Sequence, residues 1–320
     1  MPRAPLVPTP HAPYDPHDPT KGTVMTEIRL AANQYGKAEN RVVRVTRDTD
    51  RHDLVDLNVT SQLRGDFDAA FLEGDNAHVV ATDTQKNTIF AFAREPISSP
   101  EEFLVKLADH FTGEFDWVSG GRWAAEEFGW SRINDHDHSF YRSSPETRTA
   151  VLVRDGGATT LISGFYGLTV MKTTQSGFVG YPRDRYTTLP ETEDRILATD
   201  VSTRWRYRAG AVEGLDFDAT YDSIKSTIVE TFTKGYSKAL QQTLHEMAAA
   251  VLEAHGVVDE IKFSCPNKHH FLSDLSPFEL DNPGVVFYAA DRPYGLIEAT
   301  FQREGSSTND AAWVGIAGFC

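Results

Sequence analysis

Apolar residues follow two different periods along this chain, and both periods recur in the same order twice. In the first half, residues 41–46 and 53–59 alternate polar and apolar side chains, which is the pattern of half-buried strands. Strand patterns return at residues 115–118 and 149–153. The residues between these two groups of strands have helical spacing instead.

Two helices are predicted between these strands. Thr82-x-x-Gln85 matches a capping box, and Ser99-Pro100-Glu101-Glu102 matches a second one with proline at the first helical position. Apolar residues after Ser99 recur at intervals of three and four until Gly113: Phe103, Leu104, Leu107, Ala108 and Phe111.

The second half repeats this order. Extended stretches at residues 159–171 and 201–207 precede two more predicted helices, of which Ser237 caps the second. The apolar faces of the two helices are Phe217, Tyr221, Ile224, Ile228 and Phe232, then Leu240, Leu244, Met247 and Val251. The chain then returns to strand patterns at 260–263, 285–288 and 296–301.

This order predicts an α+β fold of two tandem units, in which antiparallel sheets each carry a helix pair on one face. We place the units at residues 25–147 and 148–303. Residues 1–24 contain seven prolines and few apolar side chains, so a disordered arm is predicted there. Residues 304–320 are predicted to form a flexible C-terminal tail.

Composition restricts the partners of the chain. Its 320 residues include 31 basic and 46 acidic side chains, which gives a formal net charge of -15. Such a surface repels nucleic acid and anionic lipid, so neither is an expected partner. No apolar run has the length of a membrane span. Two cysteines cannot form a disulfide framework, which favours a cytoplasmic location.

The common cofactor and metal motifs do not occur in the sequence. No glycine-rich fingerprint for a nucleotide follows a strand. His245-Glu246 begins like a zinc-protease helix, but Ala249 stands where the second histidine is required. The best metal candidate is His136-Asp137-His138, since alternate strand positions would place both imidazoles on one face. The alternative is a solvated strand or turn.

Two short stretches concentrate groups that bind anions or move protons. At residues 80–88, Thr82 and free backbone amides stand at a helix start, where the helix dipole favours an anion. Just past a predicted strand, Asn267, Lys268 and His269 place an amide, an amine and an imidazole side by side. Each stretch also has a purely structural interpretation, as a helix cap or as a hydrogen-bonded cluster.

Four further candidates are equally open to structural interpretations. Lys37 could be a surface lysine in a turn, and Arg195 could pair with the acidic residues at 193 and 194. Gln241 could be a satisfied core amide, and Phe178 could be a core residue or a stacking platform.

The order of short motifs along the chain resembles that of the urate oxidase (uricase) family, in its bacterial form. The resemblance covers residues 28–301. The matching words are Tyr35-Gly36-Lys37, Val80-Ala81-Thr82-Asp83, Lys86-Asn87-Thr88, Ser163-Gly164, Gly167-Leu168-Thr169-Val170, Arg183-Asp184, Tyr186-Thr187-Thr188-Leu189, Asp194-Arg195-Ile196-Leu197, Pro266-Asn267-Lys268-His269 and Gly295-Leu296-Ile297.

The resemblance implies a fold, an assembly and a reaction. It implies that each subunit contains two tandem tunnelling-fold units. Four such subunits would form a barrel, with active sites between subunits. It implies an oxidoreductase that converts urate, O2 and water to 5-hydroxyisourate and H2O2 in purine degradation, with no metal and no organic cofactor. His270 stands where members of the family often have tyrosine, which leaves one polar contact near the site undetermined.

Carried over residue by residue, the resemblance also implies the substrate contacts. Arg195 and Gln241 would hold the polar edge of urate, Phe178 would stack on its ring, and Leu240 would add a backbone contact. The neighbouring subunit would contribute Thr82 and the Asp83 amide.

The same resemblance implies the groups that act on protons and oxygen. Lys37, Thr82 and His269 would form the proton relay. Asn267, together with Thr82, would hold O2 or water above the ring, and Ile297 would wall that pocket. Two other hypotheses remain open from the sequence. One is a metal-dependent purine or pterin enzyme that uses His136 and His138, and the other is a purine-binding protein without activity.

Overall fold

The computed structural model describes residues 28–306 and 310–316. The chain divides into two compact units, Met1–Ala32 and Asn33–Cys320. In the first unit only residues 28–32 are described, and they have no regular secondary structure. The arm predicted at residues 1–24 lies outside the described residues. All helices and strands named below belong to the second unit.

Among the described residues, eight long strands form one antiparallel sheet, and two short strands form a separate hairpin. The sheet order is β1-β2-β3-β6-β7-β8-β9-β10, so β1 and β10 are its edges. The strands are β1 Tyr35–Thr46, β2 Asp53–Gly65, β3 Val118–Glu127, β4 Trp130–Arg132, β5 Phe140–Arg142, β6 Thr147–Asp155, β7 Ala158–Lys172, β8 Leu197–Tyr207, β9 Val258–Leu272 and β10 Phe287–Gln302.

The helices come in the predicted pairs, with one additional short turn. They are α1 Asp68–Leu72, α2 Thr82–Phe92, α3 Pro100–Glu114, α4 Phe217–Thr233 and α5 Leu240–Ala254. The cap of α3 is confirmed, because the Ser99 side chain accepts a hydrogen bond from the Glu102 amide at 3.2 Å. The predicted cap of α5 was wrong: Ala239 is its N-cap residue, and the Ser237 hydroxyl bonds to Thr243 at 2.7 Å. No helix in the described part of the chain is long and apolar enough to cross a membrane.

The helices and the main core lie on one face of the sheet. Because side chains alternate along a strand, Trp123, Phe165 and Trp205 point to the same side, where they are fully buried. Leu107 of α3 and Leu244 of α5 pack into this core. The opposite side, called the second face below, carries a smaller apolar cluster of Val151, Val153, Ile162, Ala312 and Trp313.

The two predicted units share this single sheet. β3 and β6 pair directly, from Gly121 opposite Arg154 to Glu127 opposite Arg148, so hydrogen bonds cross the expected boundary at 147/148. Two separate sheets were expected, and the continuous ladder arises because β3 and β6 are both long enough to pair along seven positions. The division into units at 25–147 and 148–303 stays a prediction.

Part of the predicted flexible tail packs on the second face. Residues 310–313 form a short 3-10 helix, and Ala312 and Trp313 are buried against the strands. The side chains of Ala312 and Trp313 therefore cover part of the chain's own sheet.

Candidate active site

The first group of candidate residues lies where β1 and α2 meet. Lys37 pairs with Ser61 of β2, and the Ser61 hydroxyl donates to the buried Gln85 side chain of α2 at 3.0 Å. This bond holds the start of α2 against the strand pair that carries Lys37. Gly36 is required here, since a β-carbon at that position would lie 1.8 Å from the Ser61 carbonyl oxygen. Lys37, expected in a turn, is instead part of a strand.

The start of α2 differs from the predicted capping box. Ala81 is the N-cap residue and Thr82 is the first helical residue, while Gln85 bonds to Ser61 and to the Val80 carbonyl. The Gln85 side chain therefore bonds within the protein interior and does not cap the helix start, as a capping box would require. Within the described part of the chain, the Thr82 hydroxyl makes no hydrogen bond. It and the first-turn amides remain available to a ligand at the positive end of the helix dipole.

Asp83 lies in the first turn of this helix, within range of the charge of Lys37. Its carboxylate accepts a bond from Lys86 and another from Asn87 at 3.0 Å. The hydrogen bond and charge of Lys86 lower the pKa of the Asp83 carboxyl, and the charge of Lys37 contributes to the same shift. The Asp83 side chain thus bonds along its own helix, while its backbone amide stays at the helix start.

The second group of candidates is built around Arg195. Its guanidinium carbon lies 5.3 Å from the centre of the Phe178 ring, and its Nε donates to the Ser176 hydroxyl at 3.4 Å. Burial lowers the pKa of Arg195, and in the described chain no carboxylate forms an ion pair with it. The alternative interpretation, a pairing with the acids at 193 and 194, does not occur among the described residues, and Asp194 accepts instead from Thr174 at 2.9 Å. A half-buried guanidinium beside an aromatic ring is a favourable place for a planar anion.

His269 belongs to the same group. Burial lowers the pKa of its imidazole, and the charges of Arg195 and His270 lower it further, so the neutral form is favoured. The effect of Arg195 places the two side chains near each other. A neutral imidazole close to a cationic guanidinium can accept a proton from a bound acid.

The alternation of side chains along β9 determines which neighbours lie on the same face of the strand as His269. Asn267 lies two residues before it and so points to the same face of the strand, opposite Gly295 of β10. Ile297 lies two pairs further along, opposite the buried Cys265. Lys268 points to the other face and pairs with Asp200 at 2.7 Å. The predicted cluster of three donors was therefore wrong for Lys268, and the stretch lies inside a strand rather than just past one.

The start of α5 is tied to the Arg195 group through Ser176, which the sequence analysis missed. The fully buried Ser176 forms a parallel bridge with Ser237, and the Gly177 amide donates to the Ser237 carbonyl at 2.9 Å. Two helical residues follow this bridge: Leu240 is buried, whereas Gln241 is exposed and makes no hydrogen bond within the described chain. Gln241 is thus not a core amide. The only sequence signal for Ser176 was its position in a small polar run next to Gly177.

The two groups lie far apart on the sheet. Lys37 is on the edge strand β1, whereas His269 is on β9, with five strands between them in the sheet order. At about 4.8 Å per strand this places them roughly 29 Å apart along the sheet. One small ligand therefore cannot touch both groups of the same chain.

The histidines proposed as a metal site lie elsewhere and are not on a strand. Residues 133–135 form a 3-10 turn between β4 and β5, and His136 and His138 follow it with their ring centres 4.5 Å apart. Among residues 28–306 and 310–316, no group of three or more histidine, cysteine or acidic side chains could hold a metal ion.

Comparison with known proteins identifies the family of this chain. The family model described as Uricase matches residues 33–153 and 161–298. The chain belongs to the uricase family. A uricase from Arthrobacter globiformis is 62% identical over 295 residues, covering 92% of this chain and 97% of that protein. A uricase from Dictyostelium discoideum is 37% identical, covering 87% of this chain and 98% of that protein.

Solved uricase structures have the same fold. The crystal structure of the Arthrobacter globiformis uricase superposes with a TM-score of 0.87 at 61% identity, covering 90% of this chain and 99% of that one. A urate oxidase structure from Bacillus sp. TB-90, at 23% identity, gives a TM-score of 0.73 over 85% of this chain, which shows the fold alone. The predicted α+β class of antiparallel strands with helices is confirmed.

Proposed function

We propose that this chain is a urate oxidase, an oxidoreductase that converts urate, O2 and water to 5-hydroxyisourate and H2O2 without a cofactor. The single observation that carries the proposal is the Arg195 group. A half-buried guanidinium without a carboxylate partner lies beside an aromatic ring and a neutral imidazole. Membership of the uricase family supports urate as the anion that this group binds.

The substrate contacts follow from the chemistry of urate, which is a planar anion at neutral pH. Arg195 and Gln241 hold its polar edge, Phe178 stacks on its ring, and the Leu240 backbone adds a contact. The Thr82 hydroxyl and the Asp83 amide bind the opposite edge. The dipole of α2 and the charge of Arg195 stabilise the second negative charge that develops when urate loses a further proton.

Proton transfer and oxygen binding are assigned to the remaining residues. Lys37 acts through the Thr82 hydroxyl to remove the second proton, and His269 completes the relay. The doubly deprotonated urate is electron-rich enough to reduce O2, which is held above the ring by Asn267 with Thr82. Ile297 walls this small pocket and limits its contents to O2 or water.

The assembly is part of the same proposal. Since Lys37 and Thr82 lie at one end of the sheet and Arg195 and His269 at the other, each site combines two copies of the chain. A closed homotetramer gives every β1 end a partner's β9 end. We place this assembly in the cytoplasm, where the buried thiol of Cys265 stays reduced.

The test is an assay of all reactants on protein that has been dialysed against a chelator. Urate consumption, oxygen uptake and peroxide formation are followed together. We expect them to be matched one for one, with no metal required. Urate binding without oxygen uptake would contradict the proposal and favour a purine-binding protein. Activity that returns only with added zinc would favour a metal enzyme.

A further inference from the structure

The second face of the sheet contains a cavity away from all the residues assigned above. Its volume is about 370 Å³, and it opens beside the segment formed by residues 310–316. Strands β3, β6, β7, β8 and β9 form its floor, and Gly315 and Ile316 contribute to its rim. The segment is anchored by Trp313, whose ring lies 4.5 Å from the Lys262 ammonium group. Residues near the C-terminus therefore form one wall of this cavity.

Buried positive charge lines the cavity. Arg204 is 8% exposed, and burial lowers its pKa to about 10. Its Nη1 donates to the carbonyl oxygens of Phe165 and Thr203, each at 3.0 Å. The side chain lies over Gly164 on the neighbouring strand, where a β-carbon would come within 2.6 Å of the Arg204 Cδ. Gly164, in the Ser163-Gly164 motif, thus leaves room for the buried Arg204 side chain.

Arg122 is the second cation of the cavity. Burial lowers its pKa, and the nearby charge of Arg64 lowers it further. The nearest atoms to a β-carbon at Gly315 would be those of the Arg122 guanidinium, at 3.8 Å, so the C-terminal segment lies directly against it. The lining includes one carboxylate, that of Glu126, which accepts bonds from Tyr166 at 3.0 Å and Asn58 at 3.3 Å.

Two polar atoms at the cavity have unmet hydrogen-bonding capacity. The Arg122 Nε and the Thr149 hydroxyl are both buried and, within the described residues, neither has a hydrogen-bond partner. Leaving a buried donor unsatisfied is costly, and a buried cation without a counter-charge is more so. The lining thus holds two guanidiniums and one carboxylate, in a protein whose net charge is -15. An anion with several oxygen acceptors would satisfy the Arg122 Nε and the Thr149 hydroxyl together.

We propose that this cavity is a binding site for a small oxyanion such as phosphate, sulfate or a carboxylate. Arg122 presents a planar guanidinium that suits such an anion, Thr149 adds a neutral donor, and Arg204 contributes its positive charge. The residues at 315 and 316 close one side of the site. It is separate from the proposed urate site and does not depend on the proposed activity.

The test is a titration of the full-length protein with inorganic phosphate at constant ionic strength, with chloride as the balancing ion. Binding is measured by calorimetry and by the rise in the midpoint of thermal unfolding. We expect saturable binding that Arg122→Gln weakens by about 10-fold or more, because a charge-assisted hydrogen bond is lost. Arg64→Gln, which removes the same charge next to the cavity, is expected to change the affinity by less than about 3-fold.

Further variants distinguish the possible outcomes. Thr149→Val removes only the hydroxyl and keeps the volume, so it is expected to weaken phosphate binding even if Arg122→Gln does not fold. Arg195→Gln is expected to leave the phosphate response intact. Loss of the response in Arg195→Gln alone would place the anion in the proposed urate site and overturn the inference. Equal responses in the parent, Arg122→Gln and Thr149→Val would show a hydrated cavity without an anion site.

Discussion

At the scale of single residues, the chemistry depends on which side chains the fold leaves without internal partners. Arg195 and the Thr82 hydroxyl both stand near potential partners in sequence, yet the structure directs those partners elsewhere. Asp194 bonds to Thr174, and Gln85 bonds to Ser61. The sequence could name Arg195 and Thr82 as candidates. It could not show that they remain available to a ligand, because that depends on contacts between residues distant in the chain.

Arg195 should control the protonation of His269. In the parent protein the His269 imidazole is expected to titrate below its ordinary value of 6.5, since burial and the Arg195 charge both oppose protonation. In Arg195→Gln the pKa should rise towards 6.5 but stay below it, because burial remains. The measurement is a ring-carbon NMR titration of histidine-labelled protein, with the resonance assigned by His269→Gln.

The sign of the accompanying stability change follows from the lowered pKa. The folded protein binds this proton less readily than the unfolded chain, so His269 destabilises the fold as the pH falls below about 6.5 and has no effect above it. Arg195→Gln should reduce this acid destabilisation. An unchanged His269 titration in the variant would mean that the two side chains do not interact.

Lys37 is expected to be needed for chemistry rather than for binding. Lys37→Met should lower turnover by roughly 10²–10⁴-fold, the usual contribution of a positioned proton-transfer group, while a urate analogue still binds. Steady-state kinetics and calorimetry with the analogue measure the two effects. Lys106→Met, on an exposed position of α3, is the matched control and should keep full activity. Near-normal turnover in Lys37→Met would remove this residue from the proposed relay.

At the scale of elements, α3 shows how a helix predicted from sequence is fixed in place by groups that the sequence does not connect. Its cap and its apolar face were both predicted. Glu101, in its first turn, is fully buried, and its carboxylate accepts from Arg148 of β6 at 2.8 Å and from Ser163 of β7 at 2.5 Å. Arg148 also bonds to Asp218 of α4 at 2.6 Å and to Glu127 of β3 at 3.4 Å. This network joins α3 and α4 to the middle of the sheet.

Glu127 makes this network sensitive to pH. Burial raises the pKa of its carboxyl from 4.5 to about 7, although the charge of Arg148 opposes the shift. The folded protein thus keeps the proton up to about pH 7, whereas the unfolded chain releases it near 4.5. Stability is therefore lost as the pH rises through this window.

Glu127→Gln should accordingly stabilise the protein above pH 7 and not at low pH. The expected gain at pH 8 is up to about 3 kcal/mol, and it should vanish towards pH 4.5. Urea unfolding at the two pH values measures it. Glu114→Gln makes the same charge change at an exposed position and should show no such pH dependence. If both variants behave alike at pH 8, the Glu127 carboxyl is already ionised without cost in the folded protein.

β9 is the element that the sequence described least well. A strand was predicted at residues 260–263, but it extends over Val258–Leu272. Pro266 and the polar residues after it resemble the end of a strand. They continue it because they lie between β8 and β10, whose hydrogen bonds outweigh the low strand propensity of the segment. This extension is what places Asn267 and His269 on one face.

At the scale of the whole molecule, the important feature is the distance between the two groups of site residues in the sheet order. Lys37 and Thr82 belong to the β1 end, and Arg195 and His269 belong to the β9 and β10 end. The repeat of strands and helix pairs in the sequence gave no sign of this separation. A site that needs both groups must be shared between copies of the chain.

A shared site predicts that two inactive variants restore each other. Lys37→Met and Arg195→Gln should each be nearly inactive when pure. Co-expressed in equal amounts, they should recover about one quarter of the parent activity, since random pairing leaves that fraction of sites with both native residues. The measurement is activity per subunit after purification through two different tags.

The control for this experiment is a Lys37→Met, Arg195→Gln double variant that is co-expressed with the parent. In that mixture random pairing also leaves about one quarter of sites intact, so the recovered activity should match. No recovery in the mixture of single variants, with normal activity in a parent mixed with itself, would show that each site lies within one chain.

The sequence by itself determined the class of fold, the order of strands and helix pairs, the cap of α3 and the names of the candidate residues. These follow from local periodicity, cap chemistry and ordered motifs, because each of these signals depends on residues that are close together in the sequence. Only the tertiary structure decided that the units share one sheet, that Arg195 lacks a carboxylate partner and that Thr82 is not a cap. It alone revealed the cavity between Arg122 and Arg204. The reason is that burial and pairing are set by contacts across the sheet, between residues that the chain separates by tens of positions.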